Sequence, residues 1–152
     1  MDKKKFLKED FTKLLSSLQS DAKGKWGKMN AQQMVEHMSD YLRIANGKTR
    51  QSSLLTPEQV QRSYSFLMTE KPFRENTPNQ LLPDIPPPLK RTSMKEAIAE
   101  LQKEIDDFFK VFSGNDVLRF STPFFGDLNF EEQVQLLHKH ATHHARQFGL
   151  VE

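Results

Sequence analysis

The sequence predicts an all-α fold, a bundle of four long helices with one shorter helix and long crossings. Apolar residues recur every three and four positions along most of the 152-residue chain, with little of the alternation that strands show. Residues that typically start and stop helices bound each of these segments. The length suits one compact domain, residues 1–152, which is long enough to bury a substantial core.

The first two predicted helices span roughly residues 2–20 and 30–46. The stretch "SDAKGKWG", with two glycines, separates them. Asn30 can cap the second helix, and Gly47 is placed to end it. Residues spaced by three and four give this helix its predicted buried face. They are Met34, His37, Met38, Tyr41 and Ile44.

A shorter helix and a proline-rich segment are predicted next. Thr56 followed by Pro57 is a strong helix start, and this helix reaches about Met68. Six prolines then fall between Lys71 and Arg91, so this stretch cannot form a regular helix. We interpret it as an extended crossover within one domain, because neither side carries enough apolar residues to bury a core alone.

The last two long helices are predicted over about 93–112 and 129–148. The stretch "SGND" stops the first of them, and "RFSTPFFGDL" is predicted to be an aromatic-rich loop. Asn129 and Glu132 have the spacing of a capping box, which predicts the start of the final helix.

The composition excludes several classes of function. With 22 basic and 20 acidic residues, the net charge of +2 creates no field that would attract polyanions, so we expect no nucleic-acid partner. The absence of cysteine excludes disulfides, cysteine metal sites and a cysteine nucleophile, and it fits a reducing compartment. No apolar run has the length of a signal peptide or the roughly 20 residues of a membrane span. We therefore expect a soluble, cytoplasmic protein with no membrane partner.

Four of the five histidines lie within seven positions of the final predicted helix. At 100° per residue, His140 and His144 share one face, one turn apart, and Gln147 continues that face. Leucines one turn earlier indicate that this face points into the bundle. His138 falls almost opposite, so we expect it in solvent, whereas His143 lies on the flank.

The remaining histidine, His37, lies in the apolar stripe of the second helix, so three imidazoles are directed into one core. Burying a neutral imidazole without a partner is costly, and a divalent metal such as zinc, nickel or iron removes that cost. Three histidines with an open position also match a common catalytic zinc arrangement. The competing interpretation is a polar cluster that hydrogen-bonds to itself, with the last-turn imidazoles interacting with the helix dipole.

The segments "WGKMNAQQMVEHM" (26–38) and "PFFGDLNFEEQVQLLHKHATHHARQFGL" (123–150) together resemble the DinB-like superfamily, in particular a branch of uncharacterised proteins with a Trp-Gly-Lys-Met start and a His-His-x-x-Gln-Phe-Gly end. They cover roughly a quarter of the chain. The resemblance implies a four-helix bundle in which a histidine triad holds a divalent metal, with one ligand from the second helix and two from the last. Carried over to this sequence, the ligands are His37, His140 and His144. Thr122 stands where this branch leads us to expect a histidine.

The resemblance also implies thiol-dependent transfer, because the superfamily includes bacillithiol and mycothiol transferases and isomerases. This chain has no cysteine, so the nucleophile would have to be water or a small-molecule thiol bound to the metal, which lowers its pKa. We therefore predict a metal-dependent transferase or hydrolase that acts on a small molecule, such as a low-molecular-weight thiol. The alternatives are a non-catalytic metal- or ligand-binding stress-response protein and a structural bundle without metal.

Two further residues are candidates for a role in catalysis. Gln147, one turn beyond His144, is placed to orient a ligand, and its alternative role is a buried amide bonded to the backbone. Tyr41, one turn after His37, is placed to donate to substrate, and its alternative role is core packing. The twelve phenylalanines are many for a modest core, which favours a homodimer.

Overall fold

The computed structural model describes residues 2–75 and 85–152, and this part of the chain is mostly helical. Within the described ranges, no helix combines the length and apolar character needed to cross a membrane. Helix α1 consists of three consecutive segments, of which the middle one is a π-helix. The helix bounds are Lys3–Lys5, Phe6–Asp10 and Phe11–Leu15 for α1, Ala31–Ala45 for α2, Pro57–Leu67 for α3, Met94–Phe112 for α4 and Phe130–Gln147 for α5.

Three of the predicted helix starts are confirmed as capping boxes. The side chains of Asn30, Thr56 and Asn129 each accept a hydrogen bond from the backbone N–H three residues later, at the starts of α2, α3 and α5. In each case the side chain at that third position bonds back to the cap residue's own N–H. The sequence predicted the cap at all three starts but the full capping box only at Asn129, and the structure adds the returning bond at Asn30 and Thr56.

Helix α1 ends at Leu15, whereas the sequence predicted a helix to about residue 20. The hydroxyls of Ser16 and Ser17 donate to the carbonyls of Lys13 and Leu14, at 2.6 and 2.9 Å. Serine hydroxyls that bond to nearby carbonyls compete with continuation of the helix. These local bonds account for the early end.

The aromatic-rich stretch before α5 forms a hairpin and not the predicted loop. Strand β1, Phe120–Thr122, pairs antiparallel with β2, Gly126–Leu128. Each strand has three residues, too few for an alternating pattern to show in the sequence. The described part of the chain is therefore mostly helical, in line with the predicted all-α class, and carries this small sheet in addition.

The long helices pack against one another around one core. Helix α2 packs along α4 and also contacts α5, while α1 contacts both α4 and α5. Helix α3 lies against β2. On the predicted buried face of α2, Met34 and Met38 are fully buried, whereas His37, Tyr41 and Ile44 are half-buried. The polar part of this face therefore lies at the border of the core.

The predicted proline-rich crossover falls partly on residues 76–84, which lie outside the described residues. Its two described ends are attached to the helices that carry the histidines. On one side, Lys139 of α5 donates to the carbonyl of Lys71. On the other, the carboxylate of Glu36 on α2 accepts the backbone N–H of Lys90 at 2.7 Å.

Candidate metal centre

Three histidines from two helices converge on one point. The Nε2 atom of His140 lies 3.1 Å from the Nε2 of His37 and 2.9 Å from the Nε2 of His144. A ligand-capable nitrogen of each residue lies within 4.8 Å of the others. The structure therefore brings together the three imidazoles that helical periodicity directed inward.

The geometry of the cluster follows from the helices that carry it. His140 and His144 are one turn apart on α5, and their ring centroids are 4.7 Å apart. The ring of His37 comes from α2, 5.0 Å from both other rings and nearly perpendicular to them. His140 and His144 are only 9% and 5% exposed, whereas His37 is half-buried beside a surface cavity that Asp40 and Pro87 also line. The α2 side of the cluster therefore borders this cavity through His37.

Burial keeps all three imidazoles neutral. It lowers the pKa of His37 to about 4, although the carboxylate of Asp40 works in the opposite direction. The pKa values of His140 and His144 are well below their ordinary value, first through burial and then because a charge on a neighbouring imidazole would repel a second. Neutral imidazole is the form that coordinates a metal.

The contacts among the three Nε2 atoms do not fit a cluster that only hydrogen-bonds to itself. A neutral imidazole nitrogen carries either one proton or one lone pair, so it takes part in one conventional hydrogen bond. His140 Nε2 has two nitrogen neighbours, from His37 and His144, at hydrogen-bond distance. At least one of these contacts therefore lacks a hydrogen bond, and a cation shared by three lone pairs would satisfy all three atoms.

Gln147 contacts both a histidine of the cluster and the backbone. Its Oε1 lies 2.7 Å from Nδ1 of His144, and its Nε2 donates to the carbonyl of Trp26 at 2.9 Å. The amide therefore bonds to the backbone, as one of the two alternatives expected, and also contacts an imidazole of the cluster. A role for Gln147 in orienting a ligand stays a prediction.

Tyr41 packs its ring against the cluster. The centroid of its ring is 4.5 Å from that of His140 and 4.9 Å from that of His37. Burial raises the pKa of Tyr41, so its hydroxyl stays protonated near neutral pH. Tyr41 also lines a mainly apolar cavity together with Thr122 and Phe125.

Thr122, which replaces the histidine expected from the resemblance, is buried in the hairpin. Its hydroxyl accepts the backbone N–H of Phe125 and donates to the carbonyl of Gly126, both at 2.9 Å. Thr122 lines the same cavity as Tyr41, whose ring packs against that of His140.

The other two histidines of α5 lie outside the cluster. His138 is half-buried with its ring edge-on to Phe6 at 5.4 Å, so the expectation of a solvent position is wrong in this respect. The physical reason is that α1 packs along this side of α5. His143 lies on the flank, as expected, between the rings of Trp26 and Phe73 at 5.5 and 6.1 Å.

Phe73 is a neighbour of the cluster that the sequence did not reveal. Its ring lies 6.3 Å from that of His140 and also packs against Phe66 and Phe125. The residue belongs to the proline-rich segment, where no helical period indicates which side chains face inward. The only available signal was an aromatic residue directly after a proline, Pro72.

Comparisons with known proteins gave one match. A family model described as the DinB superfamily matches residues 7–148, which include the three converging histidines and Gln147. Comparisons with curated proteins and with solved structures found no match.

Proposed function

The chain belongs to the DinB superfamily, and on this premise we propose that His37, His140 and His144 bind one divalent metal ion. The observation that carries the proposal is the convergence of the Nε2 atoms of three neutral imidazoles. Nitrogen ligands about 2.0–2.1 Å from a tetrahedral zinc are about 3.3 Å apart. The Nε2 separations of 3.1 and 2.9 Å are close to that value, so the donor set fits zinc. Imidazole also suits nickel and iron.

We also propose that the helices form the four-helix bundle that the resemblance implies. Helices α4 and α5 each contact both α1 and α2, so the four long helices surround one core in a closed cycle. Helix α3 and the hairpin then lie outside this cycle. The metal ligands would come from the second and the last helix of the bundle.

The activity that this site supports best is that of a metal-dependent transferase or hydrolase. When bound, a divalent metal makes water or a small thiol a stronger nucleophile near neutral pH by lowering its pKa. The chain supplies no thiol itself, because it lacks cysteine. It supplies a protonated phenol, Tyr41, beside His140 as a candidate donor to substrate, while the rings of Phe73 and Trp26 pack near the site.

Metal analysis tests the first step of this proposal. Protein purified without a histidine tag should contain about one divalent ion per chain, and replacing His37, His140 or His144 by alanine should remove it. Metal that binds only the folded state adds RT ln(1 + [L]/Kd), about 2.7 kcal/mol at a hundredfold excess over Kd. Chelator should therefore lower the melting temperature of the wild type and have little effect on the three variants.

His138→Ala is the matched control, because it removes an imidazole from the same helix outside the cluster. It should keep its metal and its response to chelator. Equal metal loss in all four variants, or a wild-type melting temperature that does not change when chelator is added, would contradict the metal site.

An activity assay tests the second step, catalysis. An enzyme should convert an electrophile in the presence of a low-molecular-weight thiol, whereas a protein that only binds metal should not.

A further inference from the structure

We infer that Gln147 is a positioning residue that fixes the tautomer of His144, and that the glycine loop at residues 24–27 holds Gln147 in place for this purpose. The inference rests on the proposed metal site, because it explains how one of its ligands presents a lone pair. It also gives a function to the Trp-Gly-Lys-Met segment, which contributes no ligand itself.

The first step is the orientation of the amide of Gln147. Its Nε2 lies 2.9 Å from the carbonyl oxygen of Trp26, and a carbonyl oxygen can only accept a hydrogen bond. The amide nitrogen must therefore face Trp26. This contact decides the amide orientation, which would otherwise be ambiguous by a 180° flip.

The second step is the position of the proton on His144. The amide oxygen of Gln147 lies 2.7 Å from His144 Nδ1, and this oxygen can only accept. Nδ1 must therefore carry the proton. In a neutral imidazole the other nitrogen then has a lone pair, and His144 Nε2 points at the other members of the triad, 2.9 Å from His140 Nε2.

The third step is the close packing of the loop around Gln147. The backbone N–H of Lys25 donates to the carbonyl of Gln147 at 2.7 Å. A Cβ atom on Gly24 would lie 2.9 Å from Cγ of Gln147, and one on Gly27 would lie 2.8 Å from its Nε2. Gly27 also has a φ of +80°, which disfavours other residues. Glycine is therefore required at both positions if the amide is to keep its place.

The base of this loop is closed by contacts of its own. A β-bridge joins Lys23 to Asn30, and the N–H of Ala31 donates to the carbonyl of Ala22 at 2.9 Å. Because the loop leads directly into α2, the same local structure precedes the helix of His37 and supports the amide that orients His144. Removing a residue that hydrogen-bonds to the second nitrogen of a ligating histidine, as Gln147 does here, typically lowers the metal affinity by about 10- to 100-fold.

The test uses the full chain and two independent measurements. Nitrogen-15 NMR of metal-free protein at pH 7.5 reports which imidazole nitrogen of His144 carries the proton, and competition with a chromophoric chelator gives the affinity for zinc. We expect an Nδ1–H tautomer in the wild type. Gln147→Leu should lose this single tautomer and bind zinc about 10- to 100-fold more weakly. Gln147→Glu keeps an acceptor for Nδ1–H and should restore the tautomer, but it lacks the N–H that donates to the Trp26 carbonyl, so zinc affinity should recover only in part.

Gly24→Ala tests the role of the loop without altering any polar group. Its methyl group would lie 2.9 Å from both Cγ of Gln147 and the carbonyl oxygen of Trp26, so the amide and its acceptor cannot both keep their positions, and zinc affinity should fall. Gly114→Ala is the matched control. Gly114 has a φ of +72°, and a Cβ atom there would meet no described atom within 4 Å, so the substitution should cost stability and leave affinity unchanged.

Two results would overturn the inference. One is a proton on Nε2 of His144 in the metal-free wild type, and the other is wild-type zinc affinity in a folded Gln147→Leu variant. A wild type that binds no zinc would instead refute the proposed metal site. The NMR measurement does not depend on metal, so the two failures can be distinguished.

Discussion

At the scale of single residues, the imidazoles of the cluster owe their neutrality to burial. Histidines with the ordinary pKa of about 6.5 would become protonated as the pH falls from about 6 to 5, and their affinity for metal would decrease over that range. Burial lowers the pKa of His37 to about 4 and those of His140 and His144 well below 6.5. Protons should therefore compete with metal in the folded protein only at lower pH than an exposed cluster would show.

The same pKa shifts predict how the stability of the metal-free protein depends on pH. Above about pH 6.5 the histidines are neutral in both states, and their contribution is constant. As the pH falls from about 6.5 toward 4, the unfolded chain binds protons at His37, His140 and His144 that the folded chain does not bind. The free energy of unfolding should therefore decrease over this window. Urea denaturation in the presence of chelator, repeated across this range, measures the decrease.

A variant that removes one titrating ring is the control for this pH dependence. His37→Gln should show a shallower decrease, because one fewer proton is taken up on unfolding. An unfolding free energy that stays flat from pH 6.5 to 4.5 would mean that the cluster is not buried as the structure shows.

At the scale of elements, an ion network joins the end of α2 to α4. Glu104 on α4 is 5% exposed and accepts hydrogen bonds from Asn46 at 3.1 Å and Lys48 at 2.8 Å. Its other carboxylate oxygen lies 3.4 Å from Nε of Arg43. Burial by itself would raise the pKa of Glu104, but the hydrogen bonds from Lys48 and Asn46 and the positive charges nearby lower it overall. The carboxylate is therefore stabilised in its charged form by the residues that follow α2.

This network predicts a clear loss of stability on replacing Glu104 by alanine. The substitution removes the hydrogen bonds that Asn46 and Lys48 donate to a buried carboxylate, while the Asn46 amide keeps the backbone carbonyl of residue 104 as an acceptor. Hydrogen bonds to charged groups contribute about 1.5–3 kcal/mol, so we expect a loss of this order. Chemical denaturation at pH 7 measures it. Zinc binding should not change, because none of these residues contacts the histidine cluster.

Glu131→Ala is the control for the effect of removing one carboxylate. Glu131 pairs with Lys4 at 2.7 Å, but its side chain is 69% exposed, and exposed pairs contribute less than about 1 kcal/mol. If both substitutions lower the free energy of unfolding by the same amount, the network contributes no more than a surface ion pair.

The stability that Glu104 contributes should also depend on pH, because its pKa is lower in the folded than in the unfolded chain. This contribution should be present above about pH 4.5 and be lost as the pH falls further.

At the scale of the whole molecule, the large number of phenylalanines is accounted for within one chain. All twelve lie in the described residues, and none is among the exposed large apolar side chains there. Several join the main core directly or pack against it. They are Phe6, Phe11, Phe108, Phe109, Phe112, Phe120, Phe130 and Phe148.

Homodimerisation stays a prediction, and the structure weakens the reason that suggested it. Sedimentation velocity at micromolar concentration tests it directly. A dimer should sediment at twice the chain mass of 17.7 kDa. A single species of one chain mass across the concentration range would contradict the prediction.

The sequence by itself determined the features that depend on neighbours a few residues apart. The helix caps at Asn30, Thr56 and Asn129 were predictable because each cap residue bonds to a backbone N–H only three residues later. The inward direction of His140 and His144 was predictable because helical periodicity fixes the relative angles of residues on one helix. Periodicity also placed His37 on the buried face of its own helix, and the family resemblance then implied that these three histidines form one set of ligands.

Only the tertiary structure decided the features that join distant parts of the chain. The bond from Gln147 to the carbonyl of Trp26 spans 121 positions, and no pattern in the sequence indicates which backbone carbonyl a buried amide will reach. No sequence pattern indicates the edge-on contact between the rings of Phe73 and His140 either, or the contact of the half-buried His138 with Phe6. The physical reason is that periodicity gives the direction of a side chain about its own helix axis, whereas its neighbours depend on how the helices and loops pack together.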